Sequence, residues 1–306
     1  MLSFAQASGA LDQLIDKDQE FRQIGSGFLF TEGPAWNTAG NYLVFSDIPG
    51  DARWRWSEQG GMELVARPTF KGNGMVYERD GSLLVCEQVT SCLIRIRPDD
   101  LRQVVAFHYQ GKYLNSPNDV VVRGSDGSVY FTDPNYGRWP VAVGVARECE
   151  LDFQGVFRVP HGGGDAELLV DKEEFEQPNG LCFSPDESVL YINDRQNLKV
   201  FDVAPDGSLS NGRIVHDEMG STEVPGNGNP DGMKCDALGN VWCTARGGIW
   251  VVAPSGELLG IIETPEVAGS LVWGGEDLRS LFVCTSTTMH VIRTKVGPAP
   301  LPSHRA

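Results

Sequence analysis

The sequence predicts an all-β fold, a six-bladed β-propeller with four-stranded blades, because one short phrase recurs along the chain. Each copy begins with a residue that carries a side-chain oxygen, followed by Gly or Asp and by apolar residues. The copies begin at Glu32, Asn73, Asn118, Asn179 and Asp231, and a sixth frame at Ala268 lacks the oxygen. These first residues, termed anchors, are 41, 45, 61, 52 and 37 positions apart, which is the period of propeller blades rather than of hairpins or helical repeats.

A tight turn and a short strand follow each anchor. The turns contain Gly, Asp or Asn, which tolerate positive φ or form local hydrogen bonds. The runs after the turns are rich in β-branched and aromatic residues, which is typical of buried strands. They cover residues 42–45, 83–86, 129–131, 189–192, 241–243 and 281–284. Further strands follow in each unit, as at residues 53–56 and 62–65 of the first. Only residues 7–17 have some helical spacing.

The sixth unit contains only three predicted strands before the Pro-rich tail at residues 296–306. We expect residues 21–28, just ahead of the first anchor, to supply the missing strand and close the ring. Closure in this way would remove an exposed sheet edge. No linker interrupts the repeat, so the sequence predicts one domain over residues 1–306, with residues 1–20 as an N-terminal extension.

Composition and charge exclude several functional classes. The 306 residues carry a net charge of −16, which disfavours nucleic acid and anionic membrane surfaces as partners. No apolar stretch approaches the roughly 20 residues of a membrane helix, and the N-terminus does not resemble a signal peptide. The seven cysteines show no metal-binding spacing and are expected to be reduced. We therefore expect a cytoplasmic protein, and the sequence leaves open whether it forms a homo-oligomer.

Familiar catalytic motifs are missing from the sequence. There is no G-x-S-x-G elbow, P-loop or dinucleotide-binding G-x-G-x-x-G. The five histidines are isolated, and His290 draws attention only because it belongs to the unit whose anchor has lost its oxygen. The chemistry must therefore be sought among the anchors themselves.

A propeller brings its anchors together around the central channel. There they would form a set of carboxylate and amide oxygens, which suits Ca²⁺, Mg²⁺ or Mn²⁺ and is poor for zinc. Two inward carboxylates without a cation would repel each other and carry a desolvation cost. The alternative is that the amides only join neighbouring blades through hydrogen bonds.

Several phrases of the chain resemble the microbial gluconolactonase-like branch of the SMP-30 (regucalcin) family. They are Thr31-Glu32-Gly33-Pro34, Asn115 to Val122, Phe131 to Gly137, Pro178 to Leu181 and Pro230 to Met233, with the linking segment Glu150 to Val159. The resemblance covers nearly the whole chain. It implies a six-bladed propeller with one divalent cation on its axis that hydrolyses sugar lactones. Ca²⁺ is the expected ion, with Mg²⁺, Mn²⁺ or Zn²⁺ as alternatives.

The resemblance also implies residue roles. The metal ligands would be Glu32, Asn118, Asn179 and Asp231, and the cation would act as a Lewis acid on the lactone carbonyl. Asp231 would be the catalytic base that deprotonates the attacking water. Because a carboxylate bound to a cation is a weak base, activation of the water by the cation is the alternative.

Substrate contacts are expected from the loops at the channel mouth. We select Asn73, Asn135 and Tyr136 as the substrate contacts. Tyr136 lies at the start of a lid that is predicted over residues 137–148, and Arg138 and Trp139 of this lid are further candidates. Animal members of the family place an Arg at the position of Ser116, so the identity of the sugar stays open. A phosphotriester hydrolase on the same metal site and a non-catalytic calcium-binding or protein-docking propeller are the competing hypotheses.

Overall fold

The computed structural model describes residues 1–140 and 143–301 and confirms the six-bladed β-propeller. Each blade is an antiparallel sheet whose first strand lies nearest the axis. Blade 1 has strands Thr31–Asn37, Tyr42–Asp47, Ala52–Ser57 and Gly61–Ala66; blade 2 has Gly72–Tyr77, Leu83–Glu87, Cys92–Ile96 and Arg102–Ala106; blade 3 has Val120–Val122, Val129–Asp133, Gly155–Val159 and Glu167–Leu168. Blade 4 has Pro178–Phe183, Val189–Asp194, Asn197–Val203 and Leu209–His216; blade 5 has Met233–Cys235, Val241–Ala245, Gly248–Val252 and Leu258–Glu263; blade 6 has Ala268–Gly274, Ser280–Thr285 and Thr288–Arg293.

The predicted ring closure is confirmed. Strand Arg22–Ser26 pairs antiparallel with Thr288–Arg293 and becomes the outer strand of blade 6. The first and last parts of the chain therefore share one sheet, and the hydrogen-bonding edge of Thr288–Arg293 is covered. The sixth unit has only three predicted strands of its own, and the order of strands in this sheet shows that Arg22–Ser26 is the fourth.

The N-terminal extension has a structural role that the sequence did not predict. Strand Phe4–Ala7 pairs with Leu258–Glu263 and adds a fifth strand to blade 5. The helical spacing of residues 7–17 corresponds only to a short 3₁₀ helix, Gly9–Gln13. Leu11 and Ile15 are fully buried in the core between blades 5 and 6. The apolar spacing therefore marks burial against two blades.

The hydrophobic core is divided among the blade interfaces. Each interface packs side chains of two neighbouring sheets, as where Trp242 of blade 5 meets Trp273 of blade 6 at 5.4 Å between ring centroids. No helix within residues 1–140 and 143–301 is long and apolar enough to cross a membrane. All seven cysteines fall within the described residues and are free, and six of them are buried.

Segments outside the blades lie between blades 2 and 3 and inside blade 3. A small hairpin pairs His108–Tyr109 with Lys112–Tyr113. The long connection between the second and third strands of blade 3 contains a 3₁₀ helix, Tyr136–Arg138. It includes the predicted lid, of which residues 141 and 142 lie outside the described residues, as do residues 302–306 of the tail.

Candidate metal centre

The anchors lie where the inner strand of each blade begins, all at the same end of the axial channel. Close approach of neighbouring blades brings them there. The main-chain N–H of Gly74 donates to the carbonyl of Asn118 at 2.8 Å, across the interface of blades 2 and 3. A Cβ added to Gly74 would lie only 2.5 Å from that carbonyl oxygen, so this position needs glycine. The residues after the other anchors are in similar contact with the next blade at Gly33, Gly180, Gly232 and Gly269.

Blade 3 differs from the other five blades because its anchor is followed by Asp119 and not by glycine. The Asp119 carboxyl is buried, and its Oδ1 accepts a 2.9 Å hydrogen bond from the Val120 N–H. Its Oδ2 has no hydrogen-bond partner within the described residues. The charge of Asp119 contributes to raising the pKa of both Glu32 and Asp231, so a third carboxylate acts electrostatically on the site.

Three of the four predicted ligands are positioned by the same arrangement of hydrogen bonds, which recurs in three blades. An acidic residue at the end of the second strand accepts hydrogen bonds from the main-chain N–H groups two and three residues ahead of the anchor. In blade 3, Asp133 accepts them from Asn115 and Ser116 at 2.8 Å each, ahead of Asn118. Asp47 does so for Leu29 and Phe30 ahead of Glu32, and Asp194 for Glu176 and Gln177 ahead of Asn179.

Asp231 is positioned differently, through blade 4. Asn179 Nδ2 donates to Asp231 Oδ1 at 2.7 Å, and Asn193 Nδ2 donates to the Asp231 carbonyl at 2.6 Å. Asn193 is fully buried at the second strand of blade 4. Asn193, Asp119 and Asp133 were not predicted as site residues from the sequence. The recurrence of acidic residues at the ends of the second strands was a signal that could have found Asp133.

The charge of Asp231 disfavours ionisation of the Glu32 carboxyl. Burial, followed by the charge of Asp231, raises the pKa of Glu32 well above its usual range. Burial raises the pKa of Asp231 to about 7, against the hydrogen bond from Asn179 that lowers it. Both carboxylates are therefore close enough to interact electrostatically at the channel axis, in an environment that opposes negative charge.

The unpaired oxygens of the cluster fit a hard cation. Glu32 Oε1, Asn179 Oδ1 and Asp119 Oδ2 are buried acceptors without a donor among the described residues. Unpaired buried acceptors are rare because each costs desolvation free energy. A divalent cation bound by oxygen ligands would satisfy the oxygens of Glu32 and Asn179 and would offset the carboxylate repulsion. Within residues 1–140 and 143–301 no three His, Cys, Asp or Glu side chains form a metal cluster, which agrees with a set completed by amides.

The structure brings together the predicted ligands to different degrees. Asn179 and Asp231 are in direct contact, and the charge of Asp231 acts on Glu32. Asn118 is buried beside Asp119, and its backbone joins blades 2 and 3. Asn73 is also buried, and its carbonyl accepts a hydrogen bond from Ser46 Oγ at 3.1 Å.

The remaining candidates lie at the mouth of the channel. Tyr136 is half-buried, and burial together with the charge of Asp231 raises its pKa. Asn135 Oδ1 accepts a 3.1 Å hydrogen bond from Gln177 Nε2 of blade 4. Both residues therefore belong to the loops around the anchors.

Arg138 and Ser116 tie down the base of the predicted lid. The Arg138 guanidinium is buried and donates to the carbonyls of Asn115 and Gln88 at 2.6 and 2.7 Å. Ser116 Oγ accepts from the Gly137 N–H at 2.9 Å. Trp139 is exposed and contacts Tyr136 edge-on. These contacts show how the lid base is supported.

His290 lies in the third strand of blade 6, away from the anchors. Its Nε2 is 2.9 Å from Thr288 Oγ1, and its ring is edge-on to Phe21 at 5.9 Å between centroids. Burial lowers its pKa. This environment is that of a packed histidine at the closure of the ring.

Comparison with known proteins identifies the family. Residues 30–287 match the SMP-30/Gluconolactonase/LRE-like region, and the chain belongs to this family. It is 33% identical to a gluconolactonase of Zymomonas mobilis over 94% of this chain and 85% of that protein. It is 27% identical to a pentonolactonase of Haloferax volcanii over 87% of this chain and 84% of that protein. A gluconolactonase structure from Xanthomonas campestris superposes with a TM-score of 0.85 at 29% identity, covering 96% of this chain and 93% of that chain.

Proposed function

We propose that this protein hydrolyses a sugar lactone to the sugar acid and that it needs a divalent cation bound at the anchors. Membership of the family and the names of the two lactonases that it resembles support the reaction class. The observation that carries the cation is the group of unpaired buried oxygens beside Glu32 and Asp231. A propeller that bound no cation would have no need for this costly arrangement.

The ligands that we propose are Glu32, Asn118, Asn179 and Asp231. All four provide hard oxygen donors, and Ca²⁺ is the ion that we expect, with Mg²⁺, Mn²⁺ and Zn²⁺ as alternatives. The bound cation would supply Lewis-acid polarisation of the lactone carbonyl. Asn179 Oδ1, which has no partner in the part of the chain that the structure describes, is available as a ligand because the Nδ2 of the same amide is engaged with Asp231.

Asp231 is proposed as the base that takes the proton of the attacking water. The hydrogen bond from Asn179 Nδ2 fixes its Oδ1, so the orientation of the carboxylate is set before substrate binds. A base must lie within hydrogen-bond reach of its proton, and its strength follows its pKa. Burial raises the pKa of Asp231 to about 7, while a bound cation would lower it again, so the role of this residue needs its own test.

The substrate that we propose is a five- or six-membered aldonolactone. Such a molecule is small, neutral and rich in oxygen, which suits a mouth made of amide and phenol groups. Asn73, Asn135 and Tyr136 are the proposed contacts. The net charge of −16 supports a neutral small molecule over nucleic acid or an anionic membrane. A cytoplasmic setting is proposed from the free cysteines.

The test is hydrolysis of a panel of aldonolactones and one phosphotriester by the purified protein. Each substrate is measured with EDTA and after adding back Ca²⁺, Mg²⁺, Mn²⁺ or Zn²⁺, against a blank without protein that corrects for spontaneous lactone opening. We expect hydrolysis of gluconolactone or xylonolactone that EDTA abolishes and a cation restores. Efficient hydrolysis of the phosphotriester with both lactones untouched would show that the lactonase assignment is wrong.

A further inference from the structure

The two ends of the predicted lid meet at Ser91, which lies between the second and third strands of blade 2. Arg138, at the start of the lid, and Arg147, near its end, each donate from Nη2 to Ser91 Oγ. Ser91 Oγ in turn donates to the carbonyl of Asn115 at 2.8 Å. A hydroxyl has one proton and two lone pairs, so all three are used. Two guanidinium groups therefore converge on one neutral oxygen.

The backbone of Ser91 indicates that its hydroxyl is needed at this point. Ser91 is fully buried, and its φ of 56° lies in the left-handed region that favours glycine. A serine in this conformation carries a cost that glycine would avoid. Glycine, however, could not accept a hydrogen bond from either arginine. The conformation of Ser91 is therefore consistent with a requirement for the two arginine contacts.

The two positive charges have no carboxylate partner. Within residues 1–140 and 143–301, neither Arg138 nor Arg147 has a carboxylate oxygen within 4.0 Å. Two acidic residues of this region are engaged elsewhere, since Asp133 accepts hydrogen bonds from two main-chain N–H groups and Glu150 accepts one. Burial, followed by the charge of Arg147, lowers the pKa of Arg138 to about 10, so its guanidinium remains charged at neutral pH. The pair is therefore electrostatically unbalanced.

The pair also has N–H donors that are not used. Arg138 is only 7% exposed, and its Nη1 has no acceptor in the part of the chain that the structure describes. A buried donor without a partner is rare because it costs desolvation free energy. Arg147 is exposed, and its one hydrogen bond to a described residue is the bond to Ser91. A solute can therefore reach the pair from the side of Arg147.

We propose that Arg138 and Arg147 form a phosphate-binding site at the base of the lid. A guanidinium presents N–H donors in a fixed fork that matches the oxygens of a phosphate, and these charge-assisted hydrogen bonds are strong. The negative charge of the phosphate offsets the repulsion between the two arginines. One ligand then joins both ends of the lid. The site needs no cation and goes beyond the proposed function, and the phosphate is either free in solution or part of a larger molecule.

The experiment measures the binding of inorganic phosphate and of glucose 6-phosphate by calorimetry, with glucose as the control ligand. The protein is freed of cations and kept in a chloride buffer, so that phosphate cannot bind through a metal ion at the anchors. Arg147→Gln removes one charge at an exposed residue, and Arg279→Gln, at an exposed arginine of blade 6, is the matched control. We expect phosphate to bind at least about tenfold more weakly to Arg147→Gln and within about twofold of the parent affinity to Arg279→Gln.

Hydrogen exchange at Val145 gives a second measurement. The Val145 N–H donates to the Gly137 carbonyl at 3.0 Å and so joins the two ends of the lid through the main chain. In the parent protein this amide should exchange more slowly when phosphate is bound, because the ligand opposes opening of the lid. In Arg147→Gln the same phosphate concentration should have a smaller effect. Two arginines with only a packing role would give no response to phosphate.

Tighter binding of glucose 6-phosphate than of inorganic phosphate, weakened in Arg147→Gln, supports the site and assigns the phosphate to a larger molecule. Equal or weaker binding of glucose 6-phosphate, with inorganic phosphate weakened in the variant, supports the site and assigns it to free phosphate. The proposal is overturned if neither compound binds the parent protein, or if Arg147→Gln binds them as tightly as the parent. If Arg147→Gln does not fold, Arg147→Lys replaces it, and affinity should still fall by about threefold because lysine lacks the fork.

Discussion

Asn179 Nδ2 donates a 2.7 Å hydrogen bond to Asp231 Oδ1 and so joins the inner ends of blades 4 and 5. The bond uses the donor of the amide and leaves Asn179 Oδ1 as a buried acceptor without a partner among the described residues. It also holds one oxygen of the carboxylate that we propose as the base. One contact therefore ties together a candidate ligand, a candidate base and the packing of two blades.

Replacing Asp231 with Asn is expected to lower kcat at least about 100-fold, because the amide keeps an oxygen ligand but cannot accept the proton. Turnover of the lactone and Ca²⁺ affinity by calorimetry are measured on the same preparation. Asp202→Asn, at a half-buried residue in the third strand of blade 4, is the control. A variant that binds the cation normally and keeps near-full turnover would rule out Asp231 as the base.

Cation binding should release protons at low pH. Because burial raises the pKa of Asp231 to about 7, the cation-free carboxyl is largely protonated at pH 6, and its proton must leave when a cation binds. Apparent affinity should therefore fall as pH decreases below about 7, and the raised pKa of Glu32 adds to this fall. Calorimetry in two buffers of different ionisation enthalpy is expected to show release of at least one proton at pH 6 and of fewer protons at pH 9. Equal release at both values would contradict the shift.

The same shift predicts a stability profile for the cation-free protein. The folded form binds more protons than the unfolded form between the ordinary pKa of Asp, about 4, and about 7. The free energy of unfolding in EDTA should therefore decrease as pH rises through this window. Denaturant unfolding checks it, and Asp231→Asn should flatten part of the slope. An unchanged slope in the variant would assign it to other groups.

Substitution Gly74→Ala should destabilise the fold by about 1–3 kcal/mol, because the added methyl group meets the Asn118 carbonyl and the Asp119 backbone at 2.5–2.6 Å. Cation affinity should also fall, since blades 2 and 3 must separate at the anchors. Gly9→Ala is the control, because a Cβ there meets no atom within 4 Å. Urea unfolding and calorimetry measure the two effects, and parent-like values for Gly74→Ala would show that the close approach is not needed.

Tyr136→Phe removes one hydroxyl at the channel mouth, where the charge of Asp231 acts on the phenol. If that hydroxyl contacts the substrate, kcat/KM should fall by about 2–10-fold, which corresponds to the net free energy of one neutral hydrogen bond. Ca²⁺ affinity and Tm should remain at their parent values, because the ring and its edge-on contact with Trp139 are retained. A fall in Tm without a change in kcat/KM would assign Tyr136 to packing instead.

Much of this architecture was predictable because the repeat is local. Each anchor, the residue after it and its turn lie within about ten residues, and a ring of equal units places equivalent positions together. The fifth strand of blade 5 was not predictable in this way. Residues 4–7 pair with Leu258–Glu263, and no property of such a short segment specifies a partner more than 250 positions away.

The sequence by itself determined the period of the blades, the order of the anchors and the oxygen chemistry that they present, because these depend on residue types and short spacings. Only the tertiary structure decided that Asp133 supports the backbone ahead of Asn118 and that the charge of Asp119 acts on Glu32 and Asp231. The physical reason is that burial and charge act through space. A carboxylate far along the chain changes a pKa only when folding removes the water between the groups.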